Sequence, residues 1–162
     1  MPSRLRNPAM MRRAASLAAL AAAACLNSAI AASSVQPSAE EREGIIFERQ
    51  QTMLQLDRDA ETLGRIVAGI TPPDRLKEVT AAIAKGARDS LQDFQNRVPG
   101  GRSKPEVWSN SADFTARMEA FVRNADAMAM AGETGNVTAV TERMIDAMPC
   151  KQCHDLYREP KK

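Results

Sequence analysis

Close to its C-terminus the chain carries the sequence MPCKQCHDLYR. This stretch contains Cys150, Cys153 and His154, and His154 is the only histidine of the 162-residue protein. On an α-helix, residues three and four apart lie on the same face, so the two thiols and the imidazole would project together. Side chains of these types at this spacing can form a disulfide, bind a metal or hold a prosthetic group.

The spacing C-x-x-C-H is the attachment signature of haem c. Two thiols about one helical turn apart can add across the two vinyl groups of a haem, and the next imidazole then reaches the iron. We therefore predict one covalently attached haem c, held by Cys150 and Cys153, with its iron ligated by His154.

Other interpretations of the cysteine pair are open at this point. A disulfide is the next alternative. A thioredoxin-like redox pair expects a βαβ context, which this chain does not offer. A zinc site needs a fourth ligand, and no further cysteine or histidine is left once the N-terminal segment is removed.

That N-terminal segment is typical of a secretory signal peptide. Four arginines and no acidic residue accompany a short apolar run, and the sequence AIA, a small-x-small cleavage pattern, ends at residue 31. The run is too short to span a bilayer, so we expect no membrane span. We predict removal of residues 1–31, a mature domain of residues 32–162 and a periplasmic location. Cys25 directly follows a run of alanines and leaves a lipoprotein anchor as an alternative.

Removal of this segment takes away four of the 22 basic residues and none of the 20 acidic ones. The mature chain would then carry a small negative net charge. A nucleic-acid-binding protein needs a basic patch or stripe, so we expect no nucleic-acid partner.

Glycines and prolines divide the mature chain into four segments with helical periodicity, and alternating β-branched runs of the kind that strands show do not occur. Thr71, either Asn110 or Ser111, and Asn136 are the expected N-caps of the second, third and fourth helices. The first helix has the clearest inward seam, and Arg49 is its one charged member: Ile46, Arg49, Met53, Leu56, Ala60, Leu63, Val67 and Ile70. The sequence predicts an all-α fold, an antiparallel up-down four-helix bundle.

Pro149 stands directly before the haem motif, inside what would otherwise be one continuous fourth helix. Proline removes a helical hydrogen bond and clashes with the preceding turn. We expect a kink around residues 146–149, or a fresh helix start at the motif with proline in its first turn.

With these motifs the sequence resembles the class II c-type cytochromes, the cytochrome c prime family. ERQQTM in the first helix, KPEVWSNSADF before the third and CKQCHDLYR near the end match the family's pattern in order. The resemblance implies thioethers at both cysteines, His154 as the proximal axial ligand, and Arg158 close to its ring nitrogen not bound to iron. The alternative for Arg158 is an exposed arginine that interacts favourably with the dipole of its helix.

The resemblance also gives roles to two residues of the first helix. Arg49 matches an arginine that approaches the haem propionates, and a charge in an apolar seam needs an anionic partner; the alternative is a guanidinium that snorkels to solvent. Met53 occupies the distal position, facing the sixth coordination site. If its thioether ligates iron, the protein is the low-spin subtype; if not, Met53 is a core methionine beside a five-coordinate iron.

Together these features predict a single-haem c-type cytochrome that transfers single electrons to redox proteins met transiently. The alternative is a five-coordinate haem protein that captures nitric oxide or carbon monoxide. Family members often pair through their first two helices, so a homodimer is expected. No second histidine or acid–base pair accompanies the distal site, and we expect no enzymatic activity. Trp108 and Tyr157 are expected to be structural.

Overall fold

The computed structural model describes residues 36–161. These residues form six helices: α1 (Ala39–Val67), α2 (Leu76–Asp93), α3 (Glu106–Ser109), α4 (Ser111–Gly132), α5 (Val137–Ala147) and α6 (Cys150–Tyr157). A 3-10 turn, Pro73–Arg75, leads into α2. The predicted signal peptide and Cys25 lie outside the described residues, and the cleavage and anchoring hypotheses stay predictions.

Four of these helices form a closed ring. Helix α1 packs on α2, α2 on α4, α4 on α5, and α5 returns to α1. The predicted all-α, antiparallel four-helix bundle is confirmed. Helix α6 packs against α3 and α4. Within residues 36–161, no helix combines the length and the apolar character needed to cross a membrane.

Helix α1 begins with a capping box that we did not predict. The Ser38 hydroxyl accepts a hydrogen bond from the Glu41 backbone N–H at 3.2 Å, and the Glu41 carboxylate accepts one from the Ser38 N–H at 2.7 Å. This exchange satisfies two donors that the first helical turn leaves without partners. The signature S-x-x-E was readable in the sequence.

The end of α1 corrects two expectations. The helix stops at Val67, and Gly69 adopts a positive φ of 69°, so the chain turns before Ile70 can join the inward seam. Ile70 is 66% exposed. Thr71 does not cap the second helix: Pro72 is the N-cap residue of the 3-10 turn, and Arg75 is the N-cap residue of α2.

Of the other two expected N-caps, one makes a capping hydrogen bond and one does not. Asn136 caps α5, and its side-chain oxygen accepts from the Ala139 N–H at 3.1 Å, as predicted. Asn110 holds the N-cap position of α4 but makes no capping hydrogen bond there. Its side chain instead donates to Tyr157.

The predicted fourth helix is two helices, α5 and α6, which are separated at Pro149. Helix α5 ends at Ala147, Met148 leaves the helical region with φ −122° and ψ 56°, and Pro149 stands as the N-cap residue of α6. The fresh helix start at the haem motif is therefore confirmed. Pro149 lies one position before the first turn rather than inside it.

The buried side chains form two clusters. The aliphatic cluster lies among α1, α2, α4 and α5 and consists of Leu56, Leu63, Ile66, Leu76, Val79, Ile83, Ala84, Ala87, Ala125, Met128, Val140 and Ala147. The aromatic cluster joins α3, α4 and α6 and consists of Val107, Phe114, Met118 and Tyr157, with Leu91, Phe94, Trp108 and Cys153 packed against it. Half-buried Met53 contacts both clusters.

Candidate functional site

The haem motif occupies its own eight-residue helix. The C-x-x-C-H residues take up the first five positions of α6, so Cys150, Cys153 and His154 share one face as predicted. The helix is tied in place beyond its end: the Lys104 N–H donates to the Tyr157 carbonyl at 3.0 Å, and the Glu159 N–H donates to the Arg102 carbonyl at 2.8 Å. The strand-like pairing of residues 102–104 with 157–159 fixes the end of α6.

The two thiols differ in exposure. Cys150 is exposed, whereas Cys153 is half-buried and packs against the aromatic cluster. Both are free thiols, and desolvation by the surrounding protein raises the pKa of each, although part of Cys150 reaches solvent. Redox-active cysteine pairs need a lowered thiol pKa, so this environment is unlike that of a thioredoxin-like site.

His154 is half-buried and stands where cationic side chains converge. Burial lowers its pKa first, and the positive charges of Arg158 and Arg102 lower it further. The imidazole is therefore neutral at neutral pH, which is the form that ligates a metal. His154 also borders a cleft of about 260 Å³, whose other lining residues are Arg102, Lys104, Asp155, Arg158, Glu159 and Pro160.

Arg158 directly follows α6. Its backbone N–H donates to the His154 carbonyl at 3.0 Å, and its side chain is exposed. Arg158 and His154 line the same cleft, and the positive charge of Arg158 lowers the pKa of His154. The predicted contact of Arg158 with the His154 ring stays a prediction.

Met53 and Asp57 bring α1 towards the haem motif. Met53 packs against the aromatic cluster, which also receives Cys153. Asp57 lies one turn further along α1. Burial dominates the pKa shifts of Cys150 and His154, and the Asp57 carboxylate adds a smaller contribution that raises both pKa values. This part of α1 thus faces the side of the bundle on which α6 presents its thiols and imidazole.

Arg49 is buried, only 4% exposed, and does not snorkel to solvent. Its Nε donates to the Asp93 carbonyl at 3.1 Å, Nη1 to the Val98 carbonyl at 2.7 Å and Nη2 to the Asn96 carbonyl at 2.8 Å. These carbonyls belong to the end of α2 and the loop after it, so a cation here also suits the helix dipole. This role was not predicted, because residues 44 to 49 positions apart supply the acceptors.

A polar network at Tyr157, also not predicted, attaches α6 to the start of α4. The Tyr157 hydroxyl donates to the Asp113 carboxylate and accepts from Asn110 Nδ2 at 3.2 Å. Arg117 Nε donates to the same carboxylate at 2.6 Å. The Tyr157 ring meets Phe114 edge-on at 5.1 Å between centroids. Tyr157 lies three residues after His154, so this network anchors α6 close to the imidazole.

The residues of this region fit a covalently held macrocycle. Two free thiols and a neutral imidazole share one helical face, and an aromatic wall stands beside them. Among residues 36–161 the buried Trp108 Nε1–H has no acceptor, and in native proteins a water, an ion or a ligand commonly completes such a group. In residues 36–161, no three His, Cys, Asp or Glu side chains cluster to hold an ion by themselves. The zinc interpretation therefore has no donor set there.

One family model spans the bundle and the haem motif, and two known proteins match shorter parts of the chain. The family model described as Cytochrome C' matches residues 44–158. Cytochrome c' of Alcaligenes xylosoxydans xylosoxydans is 35% identical over 69 residues, which are 42% of this chain and 54% of the relative. Cytochrome c' of Rubrivivax gelatinosus is 34% identical over 61 residues, 37% of this chain and 47% of the relative. The chain thus spans about half the length of the curated relatives it matches.

Solved structures share the fold over nearly their full length. A cytochrome c prime variant from Alcaligenes xylosoxidans in complex with nitric oxide has a TM-score of 0.69 at 24% identity, covering 74% of this chain and 97% of that one. A second nitric oxide complex of a variant from the same organism has a TM-score of 0.68 at 25% identity, covering 73% and 97%.

Proposed function

This chain belongs to the cytochrome c prime family, and on that premise we propose that it carries single electrons between redox proteins. The family's cofactor, a covalently attached haem c with its iron, is the cofactor of this chain. Haem iron supplies one-electron chemistry by alternating between its ferric and ferrous states. The observation that carries the proposal is the placement of Cys150, Cys153 and His154 on one face of α6.

In this proposal each side chain of the motif has a separate task. The thiols of Cys150 and Cys153 would form the two thioether bonds that hold the cofactor. His154 would ligate the iron, and its neutral state at neutral pH suits that task. Arg158 lines the same cleft as the imidazole and tunes its basicity.

The exposure of the haem motif supports electron exchange with a partner protein at this surface. Cys150 is exposed and Cys153 is half-buried, so a group bonded to both reaches from the aromatic cluster to solvent. A partner that touches this side needs no binding pocket, which suits transient encounters. The small negative charge of the mature chain, after loss of the predicted signal peptide, is compatible with partners that dock by weak electrostatics.

Export and pairing belong to the same proposal. The N-terminal signal pattern supports a periplasmic location, where thiols can be joined to haem after translocation. Phe47 and Leu54 lie seven residues apart on α1 and are 55% and 49% exposed. This apolar pair supports a homodimer through the first helices, to be measured by sedimentation of the mature protein.

Capture of nitric oxide or carbon monoxide is the second candidate. The nitric oxide complexes of structural relatives favour it. Met53 is an apolar residue that either ligates iron or leaves the sixth site open to a diatomic gas. The two candidates therefore differ in whether the Met53 sulfur binds the iron. We propose no enzymatic reaction for either.

Visible spectra of the matured protein distinguish the candidates. The electron carrier predicts low-spin spectra in both oxidation states and no change on adding carbon monoxide. Met53→Leu then converts the protein to a high-spin, gas-reactive form. Met128→Leu makes the same chemical change in the aliphatic cluster and leaves the spectra unaltered. A wild-type spectrum that is high-spin and changes with the gas overturns the carrier in favour of gas capture.

A further inference from the structure

Helix α6 is too short to hold its own position. It has eight residues, Cys150–Tyr157, and it is separated from α5 at Pro149. An isolated helix of this length is not stable in water, so contacts with other parts of the protein must keep it in place. Tyr157 is its one buried residue and lies in its last turn. The position of His154 therefore depends on what holds the C-terminal end of α6.

Two side chains of the loop between α2 and α3 hold that end by hydrogen bonds to backbone carbonyls. Arg102 donates to the Glu159 carbonyl from both Nε, at 3.0 Å, and Nη2, at 2.5 Å. Lys104 Nζ donates to the Asp155 carbonyl at 3.0 Å, and its backbone N–H donates to the Tyr157 carbonyl. The last four carbonyls of a helix lack partners inside the helix, and cations near them are favourable. These bonds thus satisfy groups at the end of α6 that the helix cannot satisfy itself.

We call residues 100–104 the clasp, and this segment is itself fixed on α1. Gly100 adopts a positive φ of 144°. A Cβ at this position would overlap the Ile46 side chain, so glycine lets the loop approach α1 closely. The loop before the clasp is held by Arg49, whose Nη1 donates to the Val98 carbonyl at 2.7 Å. The clasp therefore joins a buried anchor on α1 to the end of the haem-motif helix.

Arg102 makes the stronger side-chain tie of the clasp, because two of its N–H groups meet one carbonyl. A planar guanidinium loses little freedom when it forms such a pair, whereas a lysine donates from a flexible stem. Arg102 also lines the cleft of about 260 Å³ that His154 borders. The residue is therefore placed to restrain the backbone that leaves α6, on the side where the imidazole stands.

We propose that Arg102 is a positioning residue for the axial imidazole: its grip on the Glu159 carbonyl fixes the end of α6 and, through it, the direction in which His154 meets the iron. This inference rests on the proposed ligation of iron by His154. Arg102 acts through the backbone of α6 and supplies no ligand. Loss of its N–H groups leaves the haem attached and lets the imidazole take a range of orientations.

Electron paramagnetic resonance of the ferric holoprotein tests this role, because the g values of haem iron respond to the axial imidazole in either spin state. Arg102→Met keeps a long side chain and removes the N–H groups, and we expect shifted and broadened g values. Arg97 is an exposed arginine of the same loop, and its Nη2 donates to the Trp108 carbonyl at 3.0 Å. Arg97→Met is therefore the matched control and should keep wild-type g values.

The effect of position is separated from the effect of charge by salt. The influence of a lost surface charge weakens as added salt screens it, whereas a loosened helix end stays loose. We therefore expect the shift in Arg102→Met to persist at high salt. Wild-type g values in this variant, an equal shift in Arg97→Met, or a shift that disappears in salt overturns the proposal.

Hydrogen exchange of the wild-type holoprotein gives a second test that needs no variant. The Glu159 N–H donates to the Arg102 carbonyl, and the Lys104 N–H donates to the Tyr157 carbonyl. In the reduced, carbon monoxide-saturated protein, both N–H groups should exchange more slowly than that of exposed Lys161. Exchange of both as fast as at Lys161 would show that the clasp does not hold α6, and the proposal would be lost.

These tests can fail independently of the proposed function. A protein without a Soret band has no attached haem, and that result defeats the proposed function and the positioning role together. With haem attached, g values that ignore Arg102 defeat only the positioning role.

Discussion

The two buried clusters of the bundle differ in how far the chain completes them. The aliphatic cluster consists entirely of apolar side chains, packed from four helices that surround it. The aromatic cluster has a free thiol at its edge and the cation of Arg49 over the rings packed against it. Among residues 36–161, the buried Trp108 N–H beside it has no acceptor. The first region can be explained by apolar packing alone, whereas the second holds polar groups in an apolar setting.

We therefore expect the aliphatic cluster to contribute mainly to stability and the aromatic cluster to contribute to both stability and function. Dry, fully apolar packing contributes folding free energy in proportion to buried area. Unpaired polar groups cost folding free energy unless a ligand offsets them. Changes in the aliphatic cluster should therefore alter stability and spare the cofactor, whereas changes around the aromatic cluster should alter both.

The largest effect is expected at the thiols. In the double variant Cys150→Ser, Cys153→Ser, no thioether can form, and we expect complete loss of covalent haem. The measurement is haem staining of a denaturing gel after expression with a cytochrome c maturation system. Lys151→Gln changes an exposed side chain between the two cysteines and should stain like wild type. Staining of the double variant would refute the attachment site.

Leu63→Ala tests the aliphatic side of the comparison. Leu63 is fully buried, and truncation leaves a cavity that costs about 2–5 kcal/mol of unfolding free energy. The visible spectrum of the folded protein should stay the same, because Leu63 belongs to the aliphatic cluster only. Denaturant unfolding followed by circular dichroism gives the first quantity. A spectral shift in the folded variant would show that the two clusters are coupled.

Tyr157→Phe tests the aromatic side with a smaller change. It keeps the ring against Phe114 and removes the hydroxyl that links Asp113 and Asn110. We expect a stability loss of less than about half that of Leu63→Ala. Unlike Leu63→Ala, this variant should shift the haem spectrum, since α6 loses a tie close to His154. An unchanged spectrum would mean that the hydroxyl network does not position the imidazole.

The smallest effect is a pH dependence at the same network. Hydrogen bonds from Arg117 and then Tyr157 lower the pKa of Asp113. Its contribution to stability is thus present above the unfolded-state pKa of about 3.9 and is lost as pH falls through the lower folded-state pKa. Asp113→Asn should be less stable than wild type at neutral pH and nearly equal to it at strongly acidic pH. Unfolding midpoints across this range measure the gap, and a constant gap would contradict the assignment.

The sequence was informative where the signal is local. Apolar spacing predicted the α1 seam and the bundle, and C-x-x-C-H predicted one face of α6. Pro149 predicted the break before that face, because proline restricts its own backbone wherever it occurs. Ile70 was placed wrongly, since helical periodicity does not reveal that the helix ends before it.

The partners of Arg49 and Tyr157 depend on how distant segments meet. The carbonyls that hold Arg49 follow α2, and the carboxylate that receives the Tyr157 hydroxyl begins α4. No spacing within the sequence encodes such contacts. The sequence did indicate that a charge inside an apolar seam needs a partner. The structure adds that Arg49 donates hydrogen bonds to carbonyls at the end of α2 and in the loop after it.

The central claim is that the twin thiols of α6 hold one haem whose iron is bound by His154. Intact-mass measurement of the matured wild-type protein, together with its visible spectrum, tests this claim most directly. We expect a mass equal to the processed polypeptide plus one haem and a strong Soret band. A mass equal to the polypeptide alone, without that band, would contradict it.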